Sequence, residues 1–236
     1  MISSVRLLLS LLVPLAACSE RPPEATIARD GGIVRYSGMI TPESATRLIP
    51  LLRGADKLVI YSQGGNVDAG IQIGNAIVDN GTAVEVQTLC SSSCAHYIFA
   101  VATEKIVPDR AAVLFHTSPF TWDRLARDGR ITDQRMINDN DARLDRVVAL
   151  YNRANVSVDV LICASEVIGV REETIRPSPL GGLRANTRFA GVYFSDEMLR
   201  EYGFVNLAQA HDLSDGGRLA FKLEGTFIKV VRPGDC

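Results

Sequence analysis

Apolar and polar positions along the chain group into short blocks of recognisable period. "KLVIY" (Lys57–Tyr61) is a nearly continuous apolar run, the pattern of a strand covered on both faces. "SQGGNVDAG" follows, and then Gly70, Ile73, Gly74 and Ile77 recur at i, i+3, i+4 and i+7. This spacing predicts a helix from about Val67 to Asn80, closed by Gly81, with a small apolar face suited to close packing on a sheet. "TAVEVQTL" predicts the next strand, "AHYIFAVAT" a fully buried helix, and "KIVP" and "AAVLFHTS" two short strands. The order strand–helix–strand–helix–strand argues for a parallel α/β layer. Upstream, "ARDGGIVRYSGMI" reads as a strand or hairpin turning at Gly-Gly, and Thr41 caps a short helix that starts at Pro42.

Downstream the pattern changes. From Thr121 to Asn155 basic and acidic side chains alternate in sign, while Leu144, Val147, Val148 and Tyr151 keep helical spacing. That reads as a solvated helical hairpin. "VDVLICASEVI" continues the helical region. Residues 177–190, "PSPLGGLRANTRFA", have little periodicity and read as a long loop. "GVYF" is a strand, "SDEMLREYG" a capped short helix, and "RLAFKLEGTFIKVV" a C-terminal hairpin. The expected organisation is a signal segment at residues 1–17, a tether at 18–28, one α/β domain at 29–210 and a hairpin extension at 211–236.

The start of the sequence is a separate object. "MISSVR" carries one positive charge, Arg6, and "LLLSLLVPLAA" follows. The apolar stretch is shorter than the ~20 residues a membrane-spanning helix needs. It has the charged start, short greasy middle and small-residue exit of a secretory signal. "LAAC" (Leu15–Cys18) resembles a bacterial lipoprotein lipobox, which implies lipidation of Cys18, a membrane tether and a place in the cell envelope. Ser19 is not the aspartate that retains many lipoproteins at the inner membrane, which favours the outer one. The charge balance, 25 basic against 27 acidic residues, shows no basic stripe, so no nucleic-acid partner is expected.

Export changes how the cysteines read. Setting Cys18 aside leaves Cys90, Cys94, Cys163 and Cys236, an even set in an oxidising compartment. Three pairings remain open; the locally simplest joins Cys90 to Cys94 and Cys163 to Cys236. A zinc site from Cys90, Cys94 and His96 fits none of the usual ligand spacings. No metal or cofactor is expected.

Candidate chemistry lies in three pieces. "SQGGNVDAG" puts two glycines between a buried strand and a helix start, where backbone N–H groups can hold developing negative charge. "CSSSCA" ends the next strand and opens the next helix, the placement of a nucleophile elbow; the plainer reading is that these serines cap the helix. His116 ends the strand "AVLFH", and neutral imidazole is the usual base for a serine hydroxyl.

Together, "YSQGGNVDAG" and "CSSSCAHYIFAVATEKIVPDRAAVLFH" resemble the proteolytic subunit of Clp proteases and the wider Clp/crotonase superfamily. The sequence looks most like the exported, lipoprotein-type relatives, and the likeness runs from about Ile33 to Val205. It implies an α/β fold of repeated ββα units in a spiral, with parallel sheet layers and a helical insertion. It implies Ser92 as nucleophile, with Ser91 and Ser93 as fallbacks, His116 as base, and Gly64, Gly65 and the Ser93 N–H as the oxyanion hole. The family's orienting aspartate is replaced by Gly191; Asn186 or a backbone carbonyl could substitute. The implied function is an envelope serine hydrolase acting on peptides or esters. The alternatives are a catalytically silent Clp-like scaffold that binds peptides or partner proteins, and a crotonase-like acyl-thioester binder. Because the relatives form rings, homo-oligomers are expected.

Overall fold

The computed structural model describes residues 24–109, 111–180, 182–209, 228–231 and 233–236. The signal segment, Cys18, His211 and most of the expected C-terminal hairpin lie outside them.

Strands β1 (Thr26–Asp30) and β2 (Ile33–Ser37) form an antiparallel hairpin through the Gly-Gly turn. Strand β1 begins inside the expected tether, because Ala25 is buried and Ile27 packs on the core. Helix α1 (Pro42–Leu52) follows, with Thr41 and Ser44 exchanging capping hydrogen bonds. Strand β3 (Lys57–Ser62) then pairs parallel to β2. Helix α2 (Val67–Asn80) begins where Asn66 Oδ1 accepts the Ala69 N–H (2.7 Å) and stops at Gly81 (φ 62°).

Strand β4 (Ala83–Ser91) lies parallel to β3 and then serves two partners. Its first residues pair with β5 (Lys105–Val107) and its last with β6 (Ala112–Leu114), both parallel. Further on come α3 (Pro119–Arg127), α4 (Gln134–Ala154), α5 (Asp159–Val167), β7 (Val170–Pro177), β8 (Leu183–Thr187), β9 (Gly191–Phe194), α6 (Asp196–Glu201), β10 (Leu207–Gln209) and β11 (Ile228–Val231). In the main sheet the order is β1-β2-β3-β4-β5-β10, with β6 beside β4, and every pairing after the first hairpin is parallel. The protein is therefore a mixed α/β fold with a mostly parallel sheet.

Three elements differ from the sequence reading. The buried helix expected at "AHYIFAVAT" is a short wide-turn segment, Ala95–Phe99. Tyr151 Oη donates to the His96 carbonyl (2.8 Å), so the Ala100 N–H bonds the Ala95 carbonyl instead (3.1 Å), widening the turn. The 177–190 segment is not a loop. It contains β8, which forms an antiparallel ribbon with β7. Leu183 and Ala185 pack beside Trp122, while Arg184 and Asn186 face solvent, an alternation masked by the surrounding Pro and Gly. Strand β11 pairs parallel to β9, so that stretch of the expected hairpin belongs to the body of the domain.

The helices that carry the site fit tightly. A Cβ on Gly74 of α2 would lie 2.0 Å from the Tyr97 carbonyl, so a glycine is needed for α2 to lie against Ala95–Phe99. Both cysteine pairs are bonded: Cys90 with Cys94 (Cα–Cα 5.3 Å) and Cys163 with Cys236 (5.5 Å). The first bond uses both thiols that a zinc site would need.

Candidate active site

The carboxyl ends of β3, β4 and β6 lie together, the edge at which parallel sheets present ligand sites. Ser92 comes directly after β4 and has φ 55°, a left-handed conformation uncommon for a residue with a side chain. Its N–H bonds the Leu114 carbonyl (3.0 Å), and its carbonyl accepts the His96 N–H (2.9 Å). The strand is thus turned into a helix within a residue or two, with the Cys90–Cys94 disulfide closing the turn from beneath. Both cysteines are fully buried.

The glycine pair supports this turn from the β3 side. Gly64 has φ 94°, and a Cβ there would lie 2.7 Å from both the Ser91 carbonyl oxygen and Ser92 Cβ. Its N–H donates to Ser62 Oγ (3.0 Å). Gly64 therefore provides close approach to the serine turn and has no free donor for an oxyanion. Gly65 and Ser93 differ: both line the cleft, and neither N–H has an acceptor among the described residues. Ser93 Oγ donates to the Gly65 carbonyl (2.9 Å), joining the two donors in one unit and leaving Ser93 unsuited as a nucleophile. Ser91 pairs with β6 and does not line the cleft.

The cleft has a volume of about 240 Å³. Ser92 and His116 share it, with Tyr97, Trp122 and the β7–β8 ribbon around them. The ribbon is fastened to α2, since Asn66 Nδ2 donates to the Leu180 carbonyl. His116 stands just beyond β6, where Phe115 exchanges two backbone hydrogen bonds with Val192 (2.8 Å each). Burial lowers the His116 pKa below the ordinary histidine value, so the ring is neutral at pH 7 and able to accept a proton.

No carboxylate contributes to that shift. Gly191 packs against β6, where a Cβ would lie 3.1 Å from Leu114 Cβ. Asn186 is exposed on β8 and does not line the cleft. The partner of His116 Nδ1 is instead Thr117 Oγ1, at 3.0 Å. Sequence reasoning missed this hydroxyl, though it is the very next residue.

Sequence reasoning weighs His96 only as a zinc ligand and misses its place beside His116. Four residues after Ser92 on a helical turn, His96 faces the same cleft, and its Nε2 accepts the His116 backbone N–H (3.0 Å). Its ring proton therefore sits on Nδ1. Burial, and secondarily the neighbouring His116, push its pKa down to about 3. His96 is a neutral wedge that sets the position of the His116 backbone, with its ring stacked on Phe115 (centroids 5.7 Å apart).

No protein-family model matches the sequence, and no curated protein matches it. Solved structures with a similar backbone path include Clp protease subunits and crotonase-like enzymes. A ClpP1 variant from Listeria monocytogenes is 20% identical, covering 58% of this chain and 80% of that one, at a TM-score of 0.39. ClpP1 from the same organism is also 20% identical, covering 53% and 78%, at 0.35. A putative enoyl-CoA hydratase from Streptomyces coelicolor is 13% identical, covering 50% and 55%, at 0.32; the protein thus spans about half of the hydratase's length. Likenesses of this size say nothing of activity.

Proposed function

We propose that the protein is a serine hydrolase acting on acyl compounds, peptides or esters. The observation that carries this reading is Ser92 at φ 55° in the same cleft as a neutral, partly buried His116. A strained turn that exposes a hydroxyl at the carboxyl edge of a parallel sheet is the geometry of a nucleophile elbow.

In the reaction, Ser92 Oγ attacks the substrate carbonyl carbon and passes its proton to His116 Nε2. Electrons move to the carbonyl oxygen, which is held by the Gly65 and Ser93 N–H groups. The tetrahedral adduct collapses and the leaving group departs with the proton from His116. Water, deprotonated by His116, then attacks the acyl carbon, and Ser92 Oγ leaves as it takes the proton back from His116. Thr117 Oγ1 accepts from Nδ1–H and keeps the proton-accepting lone pair on Nε2. A hydroxyl orients the ring but adds no charge to stabilise the imidazolium, so this base is weaker than one backed by a carboxylate.

Location belongs to the same proposal. The signal-like N-terminus and lipobox support an exported, lipid-tethered protein, and two disulfides support an oxidising compartment. The test of the activity is hydrolysis of a panel of nitrophenyl esters and fluorogenic peptides. Ser92→Ala is expected to lower turnover by roughly 10³-fold or more. Turnover unchanged in Ser92→Ala would rule out Ser92 as the nucleophile, and none by the folded parent on any substrate would favour the silent scaffold.

A further inference from the structure

The charge of the cleft wall points beyond the catalytic pair. Among the described residues that line the cleft there is no aspartate or glutamate, while Arg143 of α4 and Arg184 of β8 both do. Arg143 is held at the boundary between this cleft and an adjoining hollow of about 420 Å³. Asp133, Asp139 and Arg135 line that hollow together with Arg143, whereas no acidic side chain among the described residues lines the cleft itself.

Arg143 is not used up by its protein contacts. One Nη donates to the Asp139 carbonyl (3.3 Å) and the other to Asp68 Oδ2 (3.2 Å). Asp68 also takes Arg146 (2.8 Å), so its single charge is divided between two guanidinium groups. Arg143 Nε is buried without an acceptor, a costly arrangement for a group whose only role is to tie α4 to α2. Arg146 already provides that tie. The Arg143 side chain is only 16% exposed, and a fixed, partly desolvated guanidinium strengthens any bond to an incoming anion. Arg184, exposed on β8, also borders the cleft and has no ion pair among the described residues.

We propose that Arg143 is a specificity-determining residue that binds a carboxylate on the substrate, so that the cleft takes acidic acyl compounds or peptides in preference to neutral ones. The carboxylate comes either from an acidic side group or from the C-terminal end of a peptide; the recognising chemistry is the same. This inference rests on the hydrolase reading for its meaning, but binding can be measured without turnover.

The test uses Ser92→Ala protein and three fluorescein-labelled peptides, with anisotropy as the readout. One peptide carries a glutamate and an amidated end, one has a free C-terminal carboxylate and no acidic side group, and one is neutral and amidated. At least one of the carboxylate peptides is expected to bind about tenfold tighter than the neutral one. Adding Arg143→Gln should abolish that preference, Arg143→Lys should restore part of it, and Arg146→Gln should leave it. Equal binding of all three peptides, no binding of any, or a preference that survives Arg143→Gln overturns the inference. Failure of the hydrolase reading shows elsewhere, as absence of Ser92 acylation in the parent protein, and leaves the peptide comparison intact.

Discussion

The two disulfides of this protein do different jobs. Cys90–Cys94 closes a loop around Ser92 with a sequence separation of 4, and both of its cysteines are fully buried. Cys163–Cys236 closes one with a separation of 73 and fastens the last residue to α5. A cross-link constrains the unfolded state more as its loop lengthens. The long loop therefore contributes mainly to stability. The short one contributes mainly to shape: it holds the residues on either side of a left-handed serine in the arrangement that turns Ser92 into the cleft. A bond that is weak as a staple is the strong one as a mould.

That contrast can be broken by experiment. Replacing Cys163 and Cys236 together with serine is expected to lower unfolding free energy by about 4 kcal/mol, seen as a lower denaturation midpoint, with Ser92 chemistry retained in the folded protein. Replacing Cys90 and Cys94 is expected to cost about 2 kcal/mol in stability but to slow acylation of Ser92 by roughly tenfold or more. Should the first pair govern reactivity and the second only stability, the division of labour is wrong.

Smaller effects sharpen the picture within the site. Thr117→Val removes the hydroxyl at His116 Nδ1 and leaves packing nearly unchanged. It is expected to slow acylation by about tenfold, the worth of one net hydrogen bond, without shifting the denaturation midpoint by more than a few degrees. A rate equal to the parent's would mean that Thr117 does not orient the ring.

Acidity acts on the same site through its two histidines. His96 and His116 are both held neutral in the folded state, while the unfolded protein binds protons near pH 6.5. Their contribution is present above pH 6.5 and is lost as the pH falls from there towards the His96 value of about 3. Well below 6.5 neutral His96 contributes a slope of about 1.4 kcal/mol per pH unit, and His116 adds to it with the same sign. His96→Gln should flatten the slope, as measured by denaturant melts between pH 7 and 5. Labelling of Ser92 should in turn hold its rate down to a pH below 6.5, because the base stays unprotonated there.

Much of the framework was legible in the sequence because it rests on local rules. Thr41-Pro42 and Gly81 mark helix ends through backbone hydrogen bonding, and the end of α2 at Asn80 follows from Gly81. Leu58, Val59 and Ile60 are buried, as their continuous run implies. What the sequence concealed depends on partners distant in sequence. The wide turn after Ser92 is imposed by Tyr151, fifty-five residues away from His96. Strand β8 owes its pairing to β7, and its apolar positions are only Leu183 and Ala185. The same holds in the site. Ser92 and His116 could be read from strand ends, but the engagement of the Gly64 N–H by Ser62 is a geometric outcome. Arg143 looked like one charge among many on a solvated helix, and only the packing of α4 beside the cleft separates it from Arg135 or Arg146.

The most direct test of the central claim is fluorophosphonate labelling of the folded, oxidised protein, with the modified residue located by mass spectrometry. The account predicts a single adduct on Ser92, lost in Ser92→Ala and in His116→Ala. A folded protein that takes no label, or takes it on Ser91 or Ser93, would contradict it.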